Sequence, residues 1–434
     1  MKLDARHGEL EKPLRRNRDY QVWWLGAAAS NTSSYLLTVA VPLFVLETSG
    51  SAGQAGLVAG AAAVAKFASS TPAGVLVDLC PRRILLLLAS ALQLLAVVSL
   101  LAAVLLEHAH LGHLITAAVL EGLGYSLYTA TELPLLRRIV PEGQRRSALS
   151  REQSRKAAAQ LAAPPLGGLL FSWSHAAPFF TASIFFLGVM GAALALRVPL
   201  GPDQREKAHT EPIRTHGLAG LRYVLSRQYL RYMLVWFALV NGAFAGLGLL
   251  LVVLCHNRGA APGEIGMAQG AGSAGAVLGA LVCERLTARI NSTRLLKISS
   301  WLLVAGAAAM AVPAPATVTG LAYAVALFLT PAVNVSFMHH LVHTTPDVLT
   351  GRVSTAMMTA ARSLNWFFIM GAGAMADWHG PLLPLFAISG LFLVLACANH
   401  VRAPRPGMAD LVTNGEPSGI GRMESTEPPA PNSV

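Results

Sequence analysis

From Val22 to His400 the chain alternates long apolar stretches with short polar intervals. Each stretch approaches the roughly 20 residues an α-helix needs to cross a bilayer. Twelve are read, at about 22–46, 55–77, 84–106, 112–136, 157–172, 177–197, 232–254, 264–284, 295–313, 317–341, 353–376 and 381–400. The fifth is short and can be extended back through the Arg155 region. The pattern predicts an all-α membrane protein of twelve transmembrane helices.

Composition supports this reading. Charged residues make up 13% of the 434, against about 25% in soluble domains, so a soluble enzyme of this length lacks its charged surface. The net charge of +11 is explained by where the cations fall. Apart from Arg258, Lys66 and Arg362, every Lys and Arg lies in the N-terminal segment, in the exit loops of the even-numbered stretches, or in the tail. Cations stay on the cytoplasmic side, so both termini are expected there, and scattered loop cations fit nucleic acid poorly. The first apolar run is too long for a cleaved signal and lacks a small-residue cleavage site. Cys80, Cys255, Cys283 and Cys397 show no metal or redox spacing.

The chain also repeats itself. Gly53, Gly56 and Gly60 recur as Gly263, Gly266 and Gly270, and Asn31 recurs as Asn241, all 210 residues on. Arg145, Ser147 and Arg155 recur as Arg352, Ser354 and Arg362, while Asp78 and Arg83 recur as Glu284 and Arg289. Two six-helix bundles of like orientation are therefore expected, with a substrate site between them near the midplane. The organisation reads as a cytoplasmic segment 1–21, a bundle 22–197, a linker 198–231, a second bundle 232–400 and a disordered tail 401–434. The linker is polar and turn-rich. The tail is rich in Pro, Gly, Ser and Glu, without apolar periodicity.

Local motifs resemble one family. Gly74-Val-Leu-Val-Asp78-Leu-Cys-Pro-Arg82-Arg83 is similar to the loop between helices two and three of the major facilitator superfamily, with Leu79 where a basic residue is usual and Pro81 where Gly is usual. Ala163-Pro164-Pro165-Leu166-Gly167-Gly168 resembles the fifth-helix signature of its antiporters, with Ala163 replacing the first Gly. Asn17-Arg18-Asp19-Tyr20 and Ser30-Asn31 resemble bacterial drug:proton antiporters of the macrolide and siderophore-exporter type. The resemblance implies two pseudo-symmetric bundles in a bacterial cytoplasmic membrane. It further implies a charge latch at Asp78, Arg82 and Arg83, with Glu284 and Arg289 as its second copy. Pro164, Pro165, Gly167 and Gly168 would bend and closely pack the fifth helix. Many such antiporters carry a fourth-helix Arg tied to proton coupling; Glu121-Gly122 stand there instead.

Lys66 lies 12 residues before Asp78, about 18 Å along a helix, and Glu121 lies 16 before Arg137, about 24 Å. Charges at that depth are costly and face a partner or a water-filled cavity. They are expected to share a cavity, with Glu121 changing protonation during transport, or to form a fixed pair holding helices together. Glu132, Arg155 and Arg362 are expected to close the inner face, with snorkelling to the interface as the alternative for Arg155. Asn31 and Asn241 are expected either to touch substrate or to hydrogen-bond between helices. Asp377 and Glu47 read as solvated helix ends. His339 and His343 can titrate or bind a metal, but no third ligand is in step, so no metal is expected. Gly270-Ala-Gly272-Ser-Ala-Gly275 matches a dinucleotide fingerprint, yet no strand precedes it and it reads as close helix packing.

The expected function is secondary active export of a small amphipathic or hydrophobic compound, exchanged for protons, by a monomer without cofactor or nucleic-acid partner. A nutrient symporter and a non-transporting sensor or scaffold are the alternatives.

Overall fold

A computed structural model describes residues 13–197 and 213–402. Most of the expected 1–21 segment, the first half of the 198–231 linker and nearly all of the 401–434 tail lie outside them. Among the described residues there are fifteen α-helices and no strand. Seven stretches of the described residues are long and apolar enough to cross a membrane by length and composition.

The helices are α1 (Arg18–Ser49), α2 (Ala52–Leu79), α3 (Arg82–Leu105), α4 (Leu111–Ile139), α5 (Arg145–Trp173), α6 (Ala177–Ala195), α7 (Ile213–Ser226), α8 (Gln228–Asn257), α9 (Pro262–Arg289), α10 (Ser292–Met310), α11 (Ala316–Leu327), α12 (Thr330–Thr344), α13 (Asp347–Arg362), α14 (Asn365–His379) and α15 (Leu382–Arg402). The first six expected stretches are α1–α6. The next three are α8, α9 and α10. The tenth is α11 with α12, the eleventh α13 with α14, and the twelfth α15. Part of the linker is helical, as α7. The fifth helix begins at Arg145, because the charged side chains of Glu152 and Arg155 are buried against α1 and α4.

Local chemistry sets the boundaries. The Asn17 side chain accepts from Tyr20 N–H at 3.1 Å and starts α1, satisfying one of its orphan donors. Gly50 ends it with φ 67°, a conformation that suits glycine. Pro81 and Pro141 punctuate the turns before α3 and α5. The gap between α11 and α12 also has a cause. Pro331 has no N–H for the Leu327 carbonyl, and Thr330 Oγ1 donates to that carbonyl at 2.7 Å instead.

The turns 79–82, 139–145 and 289–292, bordered by Arg82, Arg145 and Arg289, lie at one end of the bundle, here the basic end. Arg258 is the single Lys or Arg in the turns of the far end among the described residues. It donates to the Met310 carbonyl at 3.1 Å and to Thr319 at 3.0 Å, so it neutralises the negative C-terminus of α10.

Candidate functional site

The two halves grip each other at the far end through paired glycines. A Cβ on Gly56 would lie 2.9 Å from Gly373 Cα, and one on Gly60 would strike Met370. On the other side of the molecule a Cβ on Gly266 would lie 2.5 Å from the Pro164 carbonyl and 3.0 Å from Gly168 Cα, and one on Gly270 would strike Pro165. Small residues permit this backbone approach. The antiporter-like motif of α5 is thus where α5 meets α9, while Gly167 meets the Leu36 carbonyl of α1. Hydrogen bonds reinforce the far end: Ser51 donates to Asp377 at 3.1 Å, and Gly263 N–H donates to Ser172 at 2.9 Å. Asp377 therefore holds α2 to α14 rather than facing water alone. Glu47 likewise pairs with His175 at 2.8 Å.

The halves part towards the basic end. Gly74 has nothing within 4 Å of its would-be Cβ, and Asp78 is exposed. The expected latch is not assembled here. Arg83 instead donates to the carbonyls of Ala193 at 3.2 Å, Leu194 at 2.7 Å and Leu196, closing the C-terminus of α6. Arg82 is buried. Asp78, Glu284 and Arg289 make no ion pair among the described residues.

Two connected cavities run between the halves. The inner one holds about 380 Å³ and is walled largely by Ala, Leu and Val of α1–α4. The larger, about 960 Å³, opens below it and is lined by side-chain amides of Gln153, Gln160, Asn241, Gln269, Asn334 and Asn365. Thr38, Phe244, Ala245, Gln269 and Tyr323 border both.

The inner cavity contains the expected charge pair. Lys66 Nζ is 2.9 Å from Glu121 Oε2 and 4.6 Å from the centre of the Tyr125 ring, a second favourable contact for a cation. Gly122, the next residue of α4, makes this approach possible, since a Cβ there would lie 2.7 Å from the Ala62 carbonyl. Ser126 ties the helices one turn on by donating to the Lys66 carbonyl at 2.8 Å. Lys66 retains 33% side-chain exposure and Glu121 12%, so the pair borders the cavity. The second oxygen of Glu121 is buried without a hydrogen-bond partner. Desolvation can outweigh Coulombic gain in such pairs, which makes this one sensitive to whatever fills the cavity.

Below it lies a second charged cluster. Glu132 meets Arg155 at 3.3 Å and Lys156 at 2.6 Å, and Lys156 also meets Glu152 at 2.8 Å. Arg155 sits 5.3 Å from the Trp23 ring. Its side chain is 3% exposed, which excludes snorkelling in this conformation. Arg362 does not join the cluster; it lines the larger cavity from the other half. The repeat mates Asn31 and Asn241 also differ. Each donates to the carbonyl four residues back, Ala27 at 2.7 Å and Phe237 at 2.8 Å. Asn241 borders the larger cavity, whereas Asn31 is buried away from both. His339 and His343 ring nitrogens lie 3.1 Å apart and exposed, and no group of three or more metal-ligating side chains occurs among the described residues. Gly272 and Gly275 pack on Tyr323 and Ala324, as close helix packing requires.

Both helix interruptions of the second half border the larger cavity. Thr330, Pro331 and Asn334 flank the gap before α12, and Arg362 and Asn365 flank the one before α14. Irregular backbone at membrane depth is tolerated where it lines a cavity. The apolar pattern reveals neither gap. Thr330-Pro331 carries a signal for the first; Ser363-Leu364 carries none for the second.

Residues 23–370 match the family described as the Major Facilitator Superfamily. Among curated protein sequences none matches significantly. Solved structures share the fold at low identity. The nucleoside transporter NupG superposes with a TM-score of 0.70 at 12% identity, covering 88% of this chain and 98% of its own. A bacterial homolog of the human lysosomal transporter Spinster, inward-facing and unoccupied, gives 0.70 at 16%, covering 90% and 97%. A D-xylose-proton symporter gives 0.64 at 14%, covering 89% and 98%.

Proposed function

The chain belongs to the major facilitator superfamily, and on that premise we propose that it exports a small amphipathic or hydrophobic compound from the bacterial cytoplasm in exchange for protons. It is a multi-pass membrane protein of a family of secondary transporters. The observation that carries the proposal is the Lys66–Glu121 pair on the wall of a mostly apolar cavity.

A proton on Glu121 removes the charge that holds Lys66. A compound entering from the basic end meets amides first and aliphatic walls deeper in, which suits a molecule with a polar and an apolar face. Ligand and proton act by binding one conformation better than the other. When the basic end closes, Asp78, Arg82, Arg83, Glu284 and Arg289 form the latch, and Arg362 approaches the Glu132–Arg155 cluster.

The test uses everted vesicles holding the full chain, a pH-sensitive dye and a panel of antibiotics, dyes and siderophores. Substrate-induced proton release is expected, and Glu121→Gln should abolish it without altering insertion or monodispersity. Full gradient-driven export by Glu121→Gln refutes the role of Glu121.

One observation favours a second reading. Six side-chain amides around the larger cavity offer a polar solute many hydrogen bonds, as an uptake symporter would. Right-side-out vesicles separate the two, since a symporter accumulates its solute inside them under an inward proton gradient.

A further inference from the structure

A third cavity, of about 790 Å³, lies between α1 and α5 and belongs to neither of those described. It is on the outside of the bundle. On α5 the central cavity is bordered by Gln153, Gln160 and Pro164, whereas this groove is bordered by Ala158, Ala162 and Leu166. Ala158 and Ala162 are each two residues from Gln160, about 200° around the helix. Further along the same face, Leu166 and Leu169 are 46% and 53% exposed, at the level where α5 is closed against α9. Apolar side chains so exposed there face lipid.

The groove is polar at its basic end and apolar above. Arg15, Gln21, Ser150, Arg151 and Ser154 border its mouth. Beyond them come Ala28 and Trp24 of α1 and the alanines of α5. Arg155 also reaches it but is committed to Glu132. Arg15 and Arg151 make no ion pair among the described residues, so two uncompensated guanidiniums stand where an interfacial phosphate would lie. Among the described residues no carboxylate borders the groove.

We propose that this groove is a binding site for an anionic phospholipid of the leaflet at the basic end. Its phosphate engages Arg15 and Arg151, and one acyl chain lies along Ala158, Ala162 and Leu166. Basic pockets between membrane helices select anionic headgroups in this way, and guanidinium suits phosphate geometry. The proposal is independent of what the protein transports.

The test is native mass spectrometry of the detergent-purified full chain, titrated with phosphatidylglycerol or with phosphatidylcholine of the same acyl chains. Tight binding of one phosphatidylglycerol is expected. Arg15→Gln with Arg151→Gln should weaken it roughly thirty-fold, the equivalent of about 2 kcal/mol, at about 1 kcal/mol per cation. Phosphatidylcholine binding should change little. Ala158→Trp, which fills the apolar part and leaves both arginines, should also displace the lipid. Monodisperse elution of each variant establishes that it is folded. Equal binding of the two lipids, no loss in the double arginine variant, or displacement by millimolar inorganic phosphate overturns the proposal, the last by assigning the site to free phosphate.

Discussion

Gly266 is the position at which the far-end seam can be tested most directly. Its would-be Cβ falls 2.5 Å from the Pro164 carbonyl oxygen and 3.0 Å from Gly168 Cα. That is about 1 Å short of van der Waals separation. Both obstacles are backbone, so no side chain can swing aside. Gly266→Ala therefore has to push α9 away from α5, and overpacking of this kind costs about 1–3 kcal/mol. The helix-propensity gain of Ala over Gly, about 1 kcal/mol, is the same in both conformations and cancels. The far-end-closed population should fall against the open one by roughly 5- to 150-fold. Gly266→Leu, with no room at all, should abolish the closed state. The assay is a spin-label distance between exposed far-end sites Glu107 and Val312, one in each half, with the four native cysteines replaced. Gly188→Ala, which meets nothing within 4 Å, is the control and should match the parent. An unchanged distance distribution in Gly266→Leu would refute the idea that this seam holds the halves together.

Three further variants probe stability. Glu132→Gln strands Arg155, whose side chain is 3% exposed, and should lower stability by at least about 3 kcal/mol. Adding Arg155→Gln should recover part of the lost melting temperature, and a single variant that melts like the parent contradicts the buried-pair reading. Gln93 is fully buried with neither amide atom hydrogen-bonded. Gln93→Leu removes a desolvated group worth about 1–3 kcal/mol at similar volume, so thermal melting should stay level or rise; a clear fall shows that the amide has a partner of its own.

Features that depend on one dimension alone are legible in the amino-acid sequence. Span number and order come from apolar length, and the sharing of cations among loops comes from counting. Lys66 and Glu121 can be matched because depth along a helix is a simple product of residue count and rise. Glu132 and Arg155 can be matched because the α4–α5 turn is short. What the sequence hides depends on helix rotation. Asn31 and Asn241 are equivalent in the repeat, yet a modest difference in facing buries one and opens the other onto the cavity. The repeat puts Arg362 with Glu132 because its mate Arg155 is there, but the two halves do not meet at that level in this conformation. The glycines at 53, 56 and 60 and at 263, 266 and 270 are visible as a repeat. Their partners, Gly373 and Gly168, are not, since a contact between halves leaves no periodicity in either of them.

The seam built from those glycines has a consequence for speed. Where Gly56 meets Gly373 and Gly266 meets Gly168, main chain lies on main chain with almost nothing interposed. Separation there needs no rotamer to change and no knob to leave a hole. The friction of opening at those two crossings is thus set by main chain, and cavity-lining residues other than Pro164 and Ile369, whose carbonyls face Gly266 and Gly56, are free to diversify without altering how fast the halves part there. Turnover should then vary less among cavity variants than affinity does, and a change at one of four glycines should slow every solute alike.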